Sequence, residues 1–164
     1  MALDATVSGL NSNSYITVTE ATAIFAERLG VGTDWSGLSS PDKEAALITA
    51  TRRLDQEEYE GAKTLYNQAL QFPRLGIYDK DSILYASTAI PKPLQLACAE
   101  LALAIVRNPE IFDDTGLEPF SSFSADDFSV STRGIAAGRL PAQVRRFLSD
   151  FLIGSDGDVA LVRG

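Results

Sequence analysis

The chain has 164 residues, enough for one domain with a peripheral arm and for a core built without covalent staples. Hydrophobic residues make up 45% and charged residues 22%, an ordinary soluble balance, and the single Cys98 excludes an internal disulfide framework. The formal net charge of −8 weighs against a freestanding nucleic-acid binder, because phosphate neutralisation needs clustered Lys and Arg.

The N-terminus has no basic region followed by an apolar stretch, so no signal peptide is expected. The longest apolar run, Leu101 to Val106, is far short of the roughly 20 residues a bilayer demands. A soluble protein made in the cytoplasm is the expectation. Asn11-Ser12-Asn13-Ser14 reads as a loop, and Thr17-Val18-Thr19-Glu20 fits a capping box. The helix that follows carries Ala21, Ile24, Phe25 and Leu29 at helical spacing, with Gly30 as its stop. Trp35 lies in a Gly-flanked loop and is either a core lid or an interface anchor.

Ser40-Pro41 predicts a second helix, with Ser40 as N-cap and Pro41 at the first helical position. Its buried stripe is Ala45, Leu47, Ile48, Thr51 and Leu54. A short helix is predicted over Ala62 to Leu70, ending before Phe72-Pro73. Gln68 to Gly76 reads as a turn that packs Leu70 and Phe72 inward, with Gly76 free to take a positive φ. The alternative is a contact to a neighbouring subunit through Arg74. Asp79 to Ala89 is a loop, and Ile90-Pro91-Lys92-Pro93 opens a helix over Leu94 to Val106 that is apolar on nearly all sides and hence central. Cys98 within it reads as a small buried hydrophobe.

Residues 110–139 form a long irregular loop, expected to order on assembly, in which Phe128 to Ser131 alternates as a short strand would. Pro141 opens a last helix with Val144, Phe147, Leu148, Phe151 and Leu152 on one face. The fold class is therefore all-α: a small helical bundle over 1–109, the long loop, and a C-terminal helix and tail over 140–164 of the same domain.

Charge is unevenly spread. Residues 1–129 hold 9 Lys plus Arg against 19 Asp plus Glu, a balance of −10, while residues 130–164 hold 5 against 3, a balance of +2. The basic excess lies in Arg133, Arg139, Arg145 and Arg146. These face either water or an acidic partner.

Little in the chain suggests catalysis. There is no histidine, which removes the commonest general base and the commonest zinc ligand. Glu57-Glu58 and Asp113-Asp114 read as solvated runs, and Asp156-Gly157-Asp158 lacks the further ligands of a calcium loop. No phosphate-cradling glycine pattern occurs. No catalytic residue, metal site or cofactor is expected.

Four segments resemble the head–tail adaptor, or head-completion, proteins of tailed bacteriophages. They are Asn13 to Ala21, Lys43 to Asp55, Tyr59 to Thr64 with Gln68 to Gly76, and Ile90-Pro91 with Ala97 to Leu103. The pattern covers roughly residues 11–107, and more loosely Leu140 to Leu152, departing by Phe72 in place of Trp and by a Ser-rich stretch after Pro109. The resemblance implies a structural virion protein: a ring of about twelve copies in the neck that extends the DNA channel during genome packaging and release. It further implies a portal protein and a tail or neck protein as partners, with DNA passing through unbound and no membrane involved. On that reading Arg133, Arg139, Arg145, Arg146, Phe147 and Phe151 would dock on the portal, and Trp35 and Arg74 would meet neighbouring subunits. The competing account is that the C-terminal stripe closes the chain's own core. Some members of the resembled family carry a primosome-like, single-stranded-DNA-binding label. That is the alternative function, opposed by the acidic balance and the sparse basic and aromatic interleaving.

Overall fold

A computed structural model describes residues 2–31, 33–111, 123–125, 128–130 and 140–153. Helix α1, Val18–Ala26, starts where the capping box places it. The Glu20 N–H donates to Thr17 Oγ1 at 3.2 Å, and the Thr17 N–H donates to the Glu20 carboxylate at 2.7 Å. The helix buries Ala21, Ile24 and Phe25. Leu29 does not join them: the helix ends at Ala26, three residues early, and leaves Leu29 98% exposed. The loop around Trp35 contains a single helical turn, α2, Thr33–Ser36.

Helix α3, Ser40–Leu54, is capped by Ser39 rather than Ser40; the Asp42 N–H donates to Ser39 Oγ at 3.3 Å. Pro41 therefore sits one position deeper in the first turn, where its missing N–H still costs nothing. The buried face is Ala46, Leu47, Ile48, Ala50, Thr51 and Leu54, and Ala45 faces outward. Helix α4, Lys92–Arg107, buries Leu94, Ala97, Cys98, Ala99, Leu101, Ala102 and Leu103 and packs against α1, α2, α3 and α5. Its uninterrupted apolar sequence is explained by that central position.

The expected helix over Ala62 to Leu70 is absent. The chain makes an antiparallel pair instead, β1 (Ala62–Lys63) with β2 (Arg74–Leu75), in the register Ala62↔Leu75 and Lys63↔Arg74. Gly61 permits this pairing. It has φ +70, and a Cβ there would meet the Leu75 carbonyl oxygen at 2.1 Å. The helix-like spacing of residues 62–70 loses to that close approach and to Pro73.

A second short pair joins β3 (Phe123–Ala125) to β4 (Phe128–Val130). The rest of the expected 110–139 loop beyond Ile111, and the tail after Ile153, lie outside the described residues. Helix α5, Ala142–Phe147, is followed by turns through Ile153. Val144, Leu148, Phe151 and Leu152 are buried in the core that also contains α4. The protein is thus mostly helical with short hairpins.

Candidate nucleic-acid interface

Residues 59–87 form a lobe beside the helices, and polar side chains brace it from within. Arg74 donates from Nε to the Glu60 carbonyl at 2.6 Å. It donates from Nη2 to the Tyr59 and Gly61 carbonyls at 3.0 and 2.8 Å, and from Nη1 to Gln71 Oε1 at 2.9 Å. Burial depresses the Arg74 pKa, partly offset by the nearby Tyr15 and Tyr59 phenols. The buried Gln68 closes the loop between the strands: Nε2 donates to the Leu70 and Pro73 carbonyls, and Oε1 accepts from the Leu65 N–H at 3.0 Å.

Rings tie the lobe to the helical core. Phe72, 1% exposed, meets Tyr15, Tyr59 and Phe151 at centroid distances of 6.1, 4.9 and 5.4 Å, all edge-on. Phe151 in turn meets Tyr85 at 5.1 Å. The Glu60 N–H donates to the Phe151 carbonyl and the Ile153 N–H to the Glu58 carbonyl, so the C-terminal segment pairs antiparallel with the residues just before β1, through a bridge between Tyr59 and Leu152. Tyr15 donates its hydroxyl to Asp55. Burial pushes that phenol well up, with the Asp55 charge adding to it, and burial also raises Asp55 itself.

Large apolar side chains of the lobe are exposed among polar ones such as Glu60, Asn67, Lys80 and Asp81. Tyr66 is 97% exposed and Tyr78 55%, and Leu65, Leu75, Ile83 and Leu84 are also exposed. Gly76, φ +77, resets the side-chain alternation, so that Leu75 faces out while Ile77 is buried. The charges of residues 59–87 cancel: Lys63, Arg74 and Lys80 against Glu60, Asp79 and Asp81. The whole −8 of the chain therefore resides elsewhere.

The residues singled out in the sequence fare differently. Trp35 is 2% exposed; its indole N–H donates to Thr22 Oγ1 at 3.1 Å and its ring lies 4.9 Å from Phe25, so it is a lid on the chain's own core. Arg74 is spent on internal carbonyls. Phe151 is fully buried and Phe147 packs at the core's edge, so the stripe intended for a partner closes this core instead. Arg145 is half-buried and Arg146 exposed on α5, while Arg133 and Arg139 lie outside the described residues. Cys98 is buried, as its apolar run implied. No group of three or more metal-ligating side chains occurs among the described residues. Nor is any helix there long and apolar enough to cross a membrane.

The family model described as "Putative DnaT-like ssDNA binding protein" matches residues 1–163. The chain belongs to that family. No curated protein and no solved structure matches it. Membership in the DnaT-like family corrects the phage head–tail adaptor resemblance. The adaptor function, the twelve-copy neck ring, the portal and tail partners and the passage of unbound DNA fall with it. The physical reason lies in what the resembling segments do. Thr17 to Glu20 caps a helix; Gln68, Phe72 and Arg74 brace the lobe; Ala97 to Leu103 fills the core. Such residues specify a scaffold, and a scaffold is compatible with more than one function. What sequence reading missed are Tyr66 and Tyr78, whose exposure follows from the hairpin rather than from any local motif.

Proposed function

We propose that this chain is a non-catalytic single-stranded-DNA-binding protein whose helical bundle carries the hairpin lobe as its binding face. The observation behind this reading is the family match across residues 1–163. The lobe supports it physically. The chain carries −8, and its charge-neutral lobe presents a strand with less repulsion than the acidic segments do. The complete lack of histidine supports a binding rather than a catalytic role.

The test is fluorescence anisotropy with a labelled, unstructured oligonucleotide and with its duplex. Single strand should bind in about the micromolar range at about 100 mM salt, and duplex more weakly, because paired bases offer no free faces. No detectable binding of the single strand even at about 50 mM salt would remove the proposal.

A further inference from the structure

Ten large hydrophobic side chains stand exposed among the described residues, and six of them fall between positions 65 and 84: Leu65, Tyr66, Leu75, Tyr78, Ile83 and Leu84. The two tyrosines differ from the other three in the chain. Tyr15, Tyr59 and Tyr85 donate their hydroxyls to Asp55, the Leu54 carbonyl and Asp150, and each belongs to a ring pair. Tyr66 and Tyr78 join no ring pair, and neither hydroxyl has a partner among the described residues. They are outside the core and outside its polar network, on a backbone held by Gln68, Arg74 and the β1–β2 ladder. The loop after Tyr78 is fixed as well: Asp79 Oδ1 accepts from the Asp81 and Ile83 N–H groups at 2.9 and 2.8 Å.

We infer that Tyr66 and Tyr78 are stacking platforms for unpaired bases, with Lys63 and Lys80 taking the flanking phosphates; this rests on the single-strand reading above. The chemistry recognised is the flat face of a nucleobase, which every unpaired base presents and a paired one hides. Seven chain steps and one ladder pair separate the two rings, so they lie within about 30 Å of each other, a span fitting the roughly 4–16 nucleotides that a single-strand site covers. A braced backbone leaves less of the site to be ordered on binding, which helps a surface with only two flanking lysines hold a strand. A second copy of the chain is the rival occupant of this apolar patch. The neutral charge of the lobe tolerates both, and the match to a single-strand-binding family across residues 1–163 favours the stacked base.

The experiment compares the wild-type chain with Tyr66→Ala, Tyr78→Ala, the double variant and Tyr66→Phe/Tyr78→Phe, using a fluorescein-labelled oligothymidylate. Each alanine substitution should weaken binding by about 5- to 150-fold, since stacking on one ring is worth about 1–3 kcal/mol. The phenylalanine pair should bind within about threefold of wild type, because the ring face survives. The slope of log K against log salt should stay unchanged in the tyrosine variants. It should become shallower, by about 0.7 per lysine, in Lys63→Ala and Lys80→Ala. Wild-type binding with an unaffected double alanine variant overturns this site while leaving the single-strand reading intact. Absence of wild-type binding overturns both. A double variant that loses self-association in sedimentation yet keeps its DNA affinity assigns the patch to a second copy and overturns the inference.

Discussion

Replacing Arg74 by Ala should unlatch the lobe from the rest of the chain. The guanidinium spans three consecutive carbonyls, Tyr59, Glu60 and Gly61, and reaches across to Gln71, so it fixes both the start of the hairpin and its far loop. Hydrogen bonds to a charged donor contribute about 1.5–3 kcal/mol each when buried. Arg74 is half-buried and two of its acceptor contacts are exposed, so water replaces part of what is lost. A net cost of about 2–3 kcal/mol follows, well below the summed bonds. Arg74→Lys should recover less than about a third of it, because an ammonium on a flexible stem cannot reproduce a planar fork spanning several carbonyls. Urea unfolding gives the global cost, and hydrogen exchange locates it: protection should fall in residues 59–78 and persist in α4. Full recovery by lysine, or a loss of less than about 0.5 kcal/mol in the alanine variant, would refute the bracing argument.

Two further outcomes test the core behind the lobe. Phe72→Ala removes a 1% exposed ring that touches three others and should cost about 3–5 kcal/mol in denaturant unfolding; a cost under about 1.5 kcal/mol would mean the ring cluster is not the joint between lobe and helices. Burial pushes the Cys98 thiol up to about 12 from 9.0, against a lowering by its contact with Thr51. A raised folded value means that its contribution is complete below pH 9 and is lost as pH rises from 9 toward 12, at most about 4 kcal/mol. Cys98→Ala should therefore flatten the fall in stability between pH 9 and 10, before the raised tyrosines add theirs; identical slopes in the two proteins would contradict this.

The helical part of the fold was legible because its signals are local. A Thr and a Glu three residues apart make a capping box wherever they occur before an apolar stripe, and an all-apolar run such as Leu94 to Val106 has few places to go except the centre. Errors of one to three residues at α1 and α3 arose because neighbouring serines compete as caps and because periodicity alone does not say where a helix stops. The lobe was illegible for a different reason. Its hairpin depends on Gly61 approaching the Leu75 backbone and on Gln68 and Arg74 finding carbonyls up to 15 positions away, none of which leaves a periodic trace. Without the hairpin there is no exposed surface on which to notice Tyr66 and Tyr78.

On the proposed reading, the acidic balance weighs less against strand binding than the net charge suggests. Net charge is a sum over the whole surface, whereas a strand samples the potential only where it lies, within about a Debye length of 8–10 Å. The lobe is neutral while the remainder carries the −8. A binder that gains its affinity from ring faces releases few counterions, so its interaction should decline only gently with salt. On the proposed reading, the acidic side chains outside the lobe, which lie mostly outside the helices, disfavour duplex, whose phosphates are closely spaced and whose bases are hidden, more than a flexible single strand that can present its bases to the lobe and hold its phosphates away. If the chain binds as proposed, an overall negative charge would contribute to selectivity for unpaired DNA rather than rule out binding.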